Sequence, residues 1–271
     1  MPDQRRALLL AVPALAVFAA FWLLPMARLF VVGASGPEGA RSYLAVVTNA
    51  NYFRSLVSTV GLSAGVSVAT VVISLIAGIF LQRNRFPGRG VLVSLMTLPL
   101  AFPGVVVGFM VILLAGRQGL IGEATARLFD ERLVFAYGMA GLFMGYLYFS
   151  IPRVILTVMA SVEKLDPALE EAARSLGAST WQVTRDVVLP ALMPAIVSSG
   201  AICFATAMGA FGTAFTLATQ INVLPLTIYN EFTNYANFAM AASLSIVLGL
   251  ITWAALALAR SLAGAGVAAA G

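Results

Sequence analysis

Six stretches of this chain stay apolar for about 20 residues or more, at about 7–31, 56–81, 91–115, 134–158, 191–219 and 237–259. A helix of that length spans a hydrocarbon core about 30 Å thick, and a helix satisfies its own backbone N–H and C=O groups where no water can. Hydrophobic residues make up 61% of the 271 residues and charged residues 10%, whereas soluble domains carry about a quarter charged residues. The expected fold is therefore an all-α membrane protein: six transmembrane helices in one domain, 1–271, lodged in the bilayer.

Arg5 and Arg6 precede the first apolar run in the manner of a signal peptide. That run continues through Phe21, Trp22 and Leu23, longer than a signal-peptide core of roughly 7–15 residues, so an uncleaved first span is expected. Placing the N-terminus inside leaves Arg5, Arg6, Arg83, Arg85, Arg89, Lys164, Arg174, Arg185 and Arg260 in the cytoplasm. Arg28, Arg41, Arg54, Arg117, Arg127 and Arg132 then lie outside, a bias of nine to six. Basic residues favour the cytoplasmic side, so both termini and the 159–190 loop are expected there. Outside, Gly33 to Arg54 and Gly116 to Leu133 read as amphipathic connections, and 221–236 as a short interfacial or re-entrant piece.

Several function classes lose support. The chain has no histidine, so the commonest general base and metal ligand is missing, and no metal site is expected. Lone Cys203 permits no internal disulfide. The net charge of +5 is explained by loops beside membrane spans, so no nucleic-acid partner is expected. No G-x-x-x-x-G-K-[ST] phosphate loop occurs, so no ATP chemistry is expected on this chain.

One long polar interruption breaks the apolar pattern between Met159 and Pro190. Asp166-Pro167 reads as an N-cap followed by proline at the first helical position, with helix formers from Ala168 to Leu176 and Gly177 as the stop. Ser179 and Gln182 have capping-box spacing for a second helix, which Val187 to Pro190 is expected to end. Leu169, Ala172, Ala173 and Leu176 share one face, beside Glu170, Glu171 and Arg174. By pattern alone this loop either receives another protein or lies on its own membrane domain.

Glu171-Ala172-Ala173, three residues, Gly177, nine residues, Val187, one residue, Leu189-Pro190 resembles the EAA loop of permease subunits of binding-protein-dependent ABC importers. Val187 stands where that motif has isoleucine. The resemblance covers essentially the whole chain to Arg260. It implies the type I ABC importer permease fold, with the stretch around Glu170, Glu171, Ala172, Ala173 and Gly177, and onward to Val187, Leu189 and Pro190, coupling to an ATPase. The implied partners are two ATP-binding cassette subunits that bind the ATP and Mg, a second permease, different or identical, and a periplasmic substrate-binding protein. The LPLAFPGVVVG stretch and the connection carrying Tyr52 look most like spermidine/putrescine-type permeases. That likeness implies a polyamine cargo, with ferric iron, sulfate, thiamine or an aminophosphonate as alternatives within the group. A self-sufficient secondary transporter or channel is the competing class, but it would ordinarily use intramembrane carboxylates or histidines for ion coupling.

Pathway candidates lie in the later spans. Pro99, Pro103, Gly104 and Gly108 break the third span, either to line a cavity or as a packing kink. Gly138, Gly141 and Gly145 have helix-contact spacing in the fourth, followed by Tyr146. The fifth carries Phe204, Thr206, Gly209, Phe211, Gly212, Thr213, Phe215, Thr216 and Thr219, a mixture suited to a polar lining. No Asp, Glu or Lys falls in any span. Arg153 lies in the fourth, towards its cytoplasmic end, where it either serves the pathway or snorkels to the interface.

Overall fold

A computed structural model of the chain describes residues 11–217 and 221–263. Arg5, Arg6, the first residues of the expected first span and Thr219 lie outside the described residues. In chain order the helices are α1 (Ala11–Gly33), α2 (Ala50–Arg83), α3 (Arg89–Thr97), α4 (Gly104–Ala115), α5 (Leu120–Phe129), α6 (Met139–Glu163), α7 (Pro167–Ser175), α8 (Thr180–Met208), α9 (Gly212–Leu217), α10 (Leu224–Thr233) and α11 (Phe238–Ala263). Among the described residues there is no strand. Among the described residues, six helical runs are long and apolar enough to cross a membrane: α1, α2, Gly104–Phe129, α6, α8 and α11.

Three expected spans are redrawn. The third is not one helix over 91–115. After α3, a 3₁₀ turn at Leu98–Ala101 leads to extended Phe102, and α4 restarts at Gly104 with Pro103 as its N-cap. The ring of Pro103 disfavours helical geometry at Phe102, which forces the break. The fourth span runs Met139–Glu163 rather than 134–158, with Gly138 as its N-cap. Upstream, the amides of Phe135 and Ala136 both donate to the Ala115 carbonyl, 3.1 Å away, so that segment is held outside the helix. The fifth span begins at Thr180, stops at Met208 and is followed by the separate helix α9.

Proline also accounts for two π-helical turns. Ala19–Leu23 precedes Pro25 and Thr184–Val188 precedes Pro190. Proline has no N–H and its ring crowds the carbonyl four residues back, so the preceding turn opens by one residue instead of breaking. In both turns the residue just before the proline bonds five back, Leu24 N–H to the Ala19 carbonyl and Leu189 N–H to that of Thr184. Pro190 therefore does not end the second loop helix as expected. The helix passes through it into the membrane.

Two compact units emerge from the packing. One comprises Met1–Leu56 and Leu224–Leu250. In it the hydroxyls of Ser42 and Ser243 converge on the Gly33 carbonyl at 2.6 and 3.0 Å. Glu231 of α10, only 7% exposed, accepts from the Tyr52 hydroxyl at 2.8 Å and from Asn237 Nδ2 at 3.1 Å. This buried carboxylate sits in the segment expected to be interfacial.

The second unit comprises Val57–Val223 and Ile251–Gly271. There α2 buries a row of hydroxyl residues at helical spacing, Thr59, Ser63, Ser67, Thr70 and Ser74. Ser74 donates across to the Ile151 carbonyl of α6 at 3.3 Å. The hydroxyls of Ser63, Thr70 and Ser150 have no partner among the described residues. Gly78 allows α2 and α6 to approach closely, since a Cβ there would stand 2.8 Å from Val158 Cγ1.

Candidate functional site

The polar loop is built as two capped helices. Asp166 Oδ1 accepts from the Ala168 amide at 2.9 Å, and Pro167 occupies the first turn of α7. At the other end Gly177 has φ +85°, a backbone region that side chains disfavour. Its N–H donates to the Arg174 carbonyl at 2.9 Å and the Ala178 N–H to that of Ala173 at 3.1 Å, the paired bonds of a Schellman stop. Ser179 and Gln182 then close a reciprocal capping box at 2.8 and 3.3 Å. Only two residues, Gly177 and Ala178, separate the Leu176 cap of one helix from the Ser179 cap of the next.

Glu170 and Glu171 part company in space. Glu170 turns inward, bonded to Arg83 at the end of α2 and to Arg174 at 3.1 Å, with its side chain 15% exposed. Glu171, Ala172 and Gly177 are exposed and Ala173 half-buried. Large apolar side chains stand out beside them: Leu169 is 56% exposed, Leu176 90% and Trp181 71%. Arg83 as an anchor and Trp181 as an exposed aromatic were not singled out from sequence. The signal for Trp181 was available, an aromatic in the first turn of a capped polar loop helix. Val187 belongs to the π turn, while Leu189 and Pro190 open the regular helix beyond it.

Farther along the same helix, the breaks in two helices meet. The Thr213 hydroxyl of α9 donates to the Gly104 carbonyl of α4 at 2.9 Å, and that of Thr216 to the Gly212 carbonyl at 3.0 Å. Glycine lets them touch: a Cβ on Gly108 would lie 2.5 Å from Thr216 Cβ, and one on Gly145 would lie 2.8 Å from Thr213 Cγ2. Tyr146 of α6, 1% exposed, donates its hydroxyl to the Ala210 carbonyl in the break at 2.5 Å. A carbonyl freed by a helix break is thus satisfied by a side chain, as burial demands. The Phe211 and Phe215 rings pack at a tilt of 32°, their centroids 5.2 Å apart. The structure therefore brings Pro103, Gly104, Tyr146, Phe211 and Thr213 to one locus. Thr206 lies apart from it, on the α8 stretch leading up to the break, where its oxygen accepts from Arg153 Nη1 at 3.3 Å. Phe204 is half-buried on α8, and no polar contact ties it to either group.

Comparison with known proteins now bears on this arrangement. Residues 70–265 match the family described as binding-protein-dependent transport system inner membrane component. The chain belongs to that family. The permease is 35% identical over 195 residues to the molybdenum transport system permease protein ModB of Escherichia coli (strain K12), covering 69% of this chain and 84% of that protein. It is 34% identical over 210 residues to the sulfate transport system permease protein CysT of the same strain, covering 76% and 75%. The sulfate permease CysW of Synechocystis is 31% identical over 242 residues, covering 88% and 86%. Among solved structures, a chain of a bacterial alginate ABC transporter in complex with its alginate-bound periplasmic protein superposes with a TM-score of 0.84 at 17% identity, covering 98% and 97%. A chain of the MetNI methionine ABC transporter gives 0.56 at 17% identity, covering 77% and 94%. These likenesses show the type I permease fold. The expected polyamine likeness finds no support among these relatives.

Proposed function

We propose that this permease forms half of the membrane pathway of an ATP-driven importer and takes its cargo from a periplasmic binding protein. A second permease chain supplies the other half, and two ATPase subunits hold the ATP and Mg. It lies in the cytoplasmic membrane with both termini inside. The observation carrying this reading is the capped loop. Glu170 fastens it to α2, while Glu171, Ala172, Leu176, Gly177 and Trp181 are left exposed for a partner. Val187, Leu189 and Pro190 lead from that contact into α8, and the break lined by Pro103, Gly104, Tyr146, Phe211 and Thr213 is the candidate gate. Glu171→Lys and Gly177→Asp are each expected to abolish uptake and copurification of the ATPase while membrane insertion stays intact. Uptake that survives both changes removes the coupling assignment, and uptake without any ATPase favours a self-sufficient transporter.

For cargo we infer a tetrahedral oxyanion. The relatives named above serve molybdenum and sulfate, and molybdenum in oxygenated water is the molybdate dianion, alike in shape and charge to sulfate. The carboxylates of these spans, Glu123, Glu163 and Asp186, lie towards the span ends, whereas the cation Arg153 stands ten residues inside α6. Proteoliposomes holding the full transporter are expected to accumulate labelled sulfate or molybdate in preference to spermidine. Preference for spermidine would restore the polyamine reading.

A further inference from the structure

Arg153 is the one charged side chain of α6 before Glu163. Because α6 continues to Glu163, Arg153 stands ten residues from its end, about 15 Å along the axis at 1.5 Å per residue. That is roughly half the thickness of a hydrocarbon core about 30 Å deep. The midpoint of the 25-residue α6 falls two residues before Arg153, so snorkelling, the alternative for a span ending at 158, has farther to reach.

Arg153 is exposed and has no counter-ion among the described residues. Ion pairs among the described residues are Arg83–Glu170, Arg174–Glu170 and Arg185–Asp186. Arg153 has instead the contact with Thr206 on α8, whose own hydroxyl is turned away to donate to the Ile202 carbonyl at 2.8 Å. That geometry fixes the guanidinium with an acceptor on one side and leaves its other N–H donors open. Thr157 and Ser161 continue the row from Arg153 at intervals of four residues, a polar stripe along α6. An unpaired cation at the head of such a stripe is costly against lipid and belongs on a water-filled path. A planar fork of N–H donors matches two oxygens of a tetrahedral anion, which the point charge of a lysine does not.

We propose that Arg153, steadied by Thr206, is the oxyanion-contacting site of the membrane pathway, a weak station that the cargo passes between the binding protein and the cytoplasm. This rests on the importer reading above and adds a residue and a ligand chemistry to it.

The test uses the complete transporter in proteoliposomes, with Cys203→Ala giving a thiol-free chain. Arg153→Gln is expected to lower sulfate or molybdate uptake by about tenfold or more, the cost of losing a charge-assisted contact. Arg153→Lys should retain more, and ATPase stimulation by the loaded binding protein should persist in both. In the thiol-free chain, Arg153→Cys should react with the membrane-impermeant anionic sulfonatoethyl methanethiosulfonate, and cargo should slow that reaction. Attaching the cationic aminoethyl group to the same thiol should restore part of the uptake, which a purely structural role would not produce. Full uptake by Arg153→Gln, or a thiol that the anionic reagent never reaches, overturns the proposal. So does loss of the partner permease on purification of Arg153→Gln, which would make Arg153 an interchain ion-pair residue. Absence of oxyanion uptake by the unmodified transporter refutes the cargo reading instead, and is distinguishable because it appears before any change at Arg153.

Discussion

Replacing Tyr146 with phenylalanine removes one oxygen and keeps the ring. The hydroxyl donates to the Ala210 carbonyl, the bond that crosses from α6 to the break between α8 and α9. No other donor to that carbonyl is found among the described residues, so the change leaves a part-buried acceptor without its donor. Side-chain hydrogen bonds in membrane proteins average about 0.6 kcal/mol and reach about 1.7. An acceptor left unsatisfied in a buried site costs about 1–3 kcal/mol. With Tyr146 1% exposed, water cannot easily replace the hydroxyl, and a value near 1.5 kcal/mol follows, or roughly tenfold in the opening equilibrium of the break. Amide hydrogen exchange followed by mass spectrometry reads this directly. Peptides covering residues 207–213 should exchange roughly tenfold faster in Tyr146→Phe, while those from the 166–182 loop stay unchanged. A change below about twofold at the break, or an equal acceleration everywhere, would refute the claim that this one bond holds the break closed.

Other changes test other contacts. Gly108→Ala places a Cβ 2.5 Å from Thr216 Cβ and should lower stability by about 1–3 kcal/mol through overpacking, measured as a fall in detergent melting temperature. Gly61→Ala, where a Cβ meets nothing within 4 Å, is the control and should be neutral or stabilising. Thr70→Val exchanges a buried hydroxyl, unpartnered among the described residues, for a methyl of similar shape and should raise stability by up to about 1 kcal/mol in the same assay. Gly177→Ala puts a side chain at φ +85° and should cost about 1–2 kcal/mol locally, seen as faster exchange at the end of α7 with α6 unaffected.

The loop was legible because its signals are local. Asp166-Pro167, Gly177 and the Ser179–Gln182 pair each act within a few residues of themselves, so spacing alone places the caps. Span boundaries were less legible because apolar runs tell only that a segment can be buried. The stop at Met208, the restart at Gly212 and the non-helical Val134–Tyr137 depend on contacts made by distant residues: Thr213 with Gly104, Tyr146 with Ala210, Phe135 with Ala115. The helix breakers of 99–108 and 209–212 were recognisable singly, but not that the two breaks face each other. Glu231 escaped notice as a buried group because its partners, Tyr52 and Asn237, lie far off in sequence or beyond a turn.

Pro190 changes what the loop and the breaks are to one another. Had it ended the loop helix as a proline ordinarily suggests, the capped loop and the membrane break would be separate structures joined by a hinge. The π turn at Thr184–Val188 absorbs the missing N–H, so Thr180–Met208 is one helix. It begins at the capping box of Ser179 and ends one residue before the non-helical stretch held by Tyr146. A displacement at the loop end of a continuous helix is transmitted along it, because each turn is tied to the next by backbone bonds that a hinge lacks. The register changes at the π turn, where the Leu189 N–H reaches five residues back to the Thr184 carbonyl. Val187, Leu189 and Pro190 of the motif occupy that point and the first turn beyond it. In the proposed coupling, their place in the motif follows from keeping loop and break on one helix, whereas Glu171, Ala172, Ala173 and Gly177 would shape the surface offered to a partner.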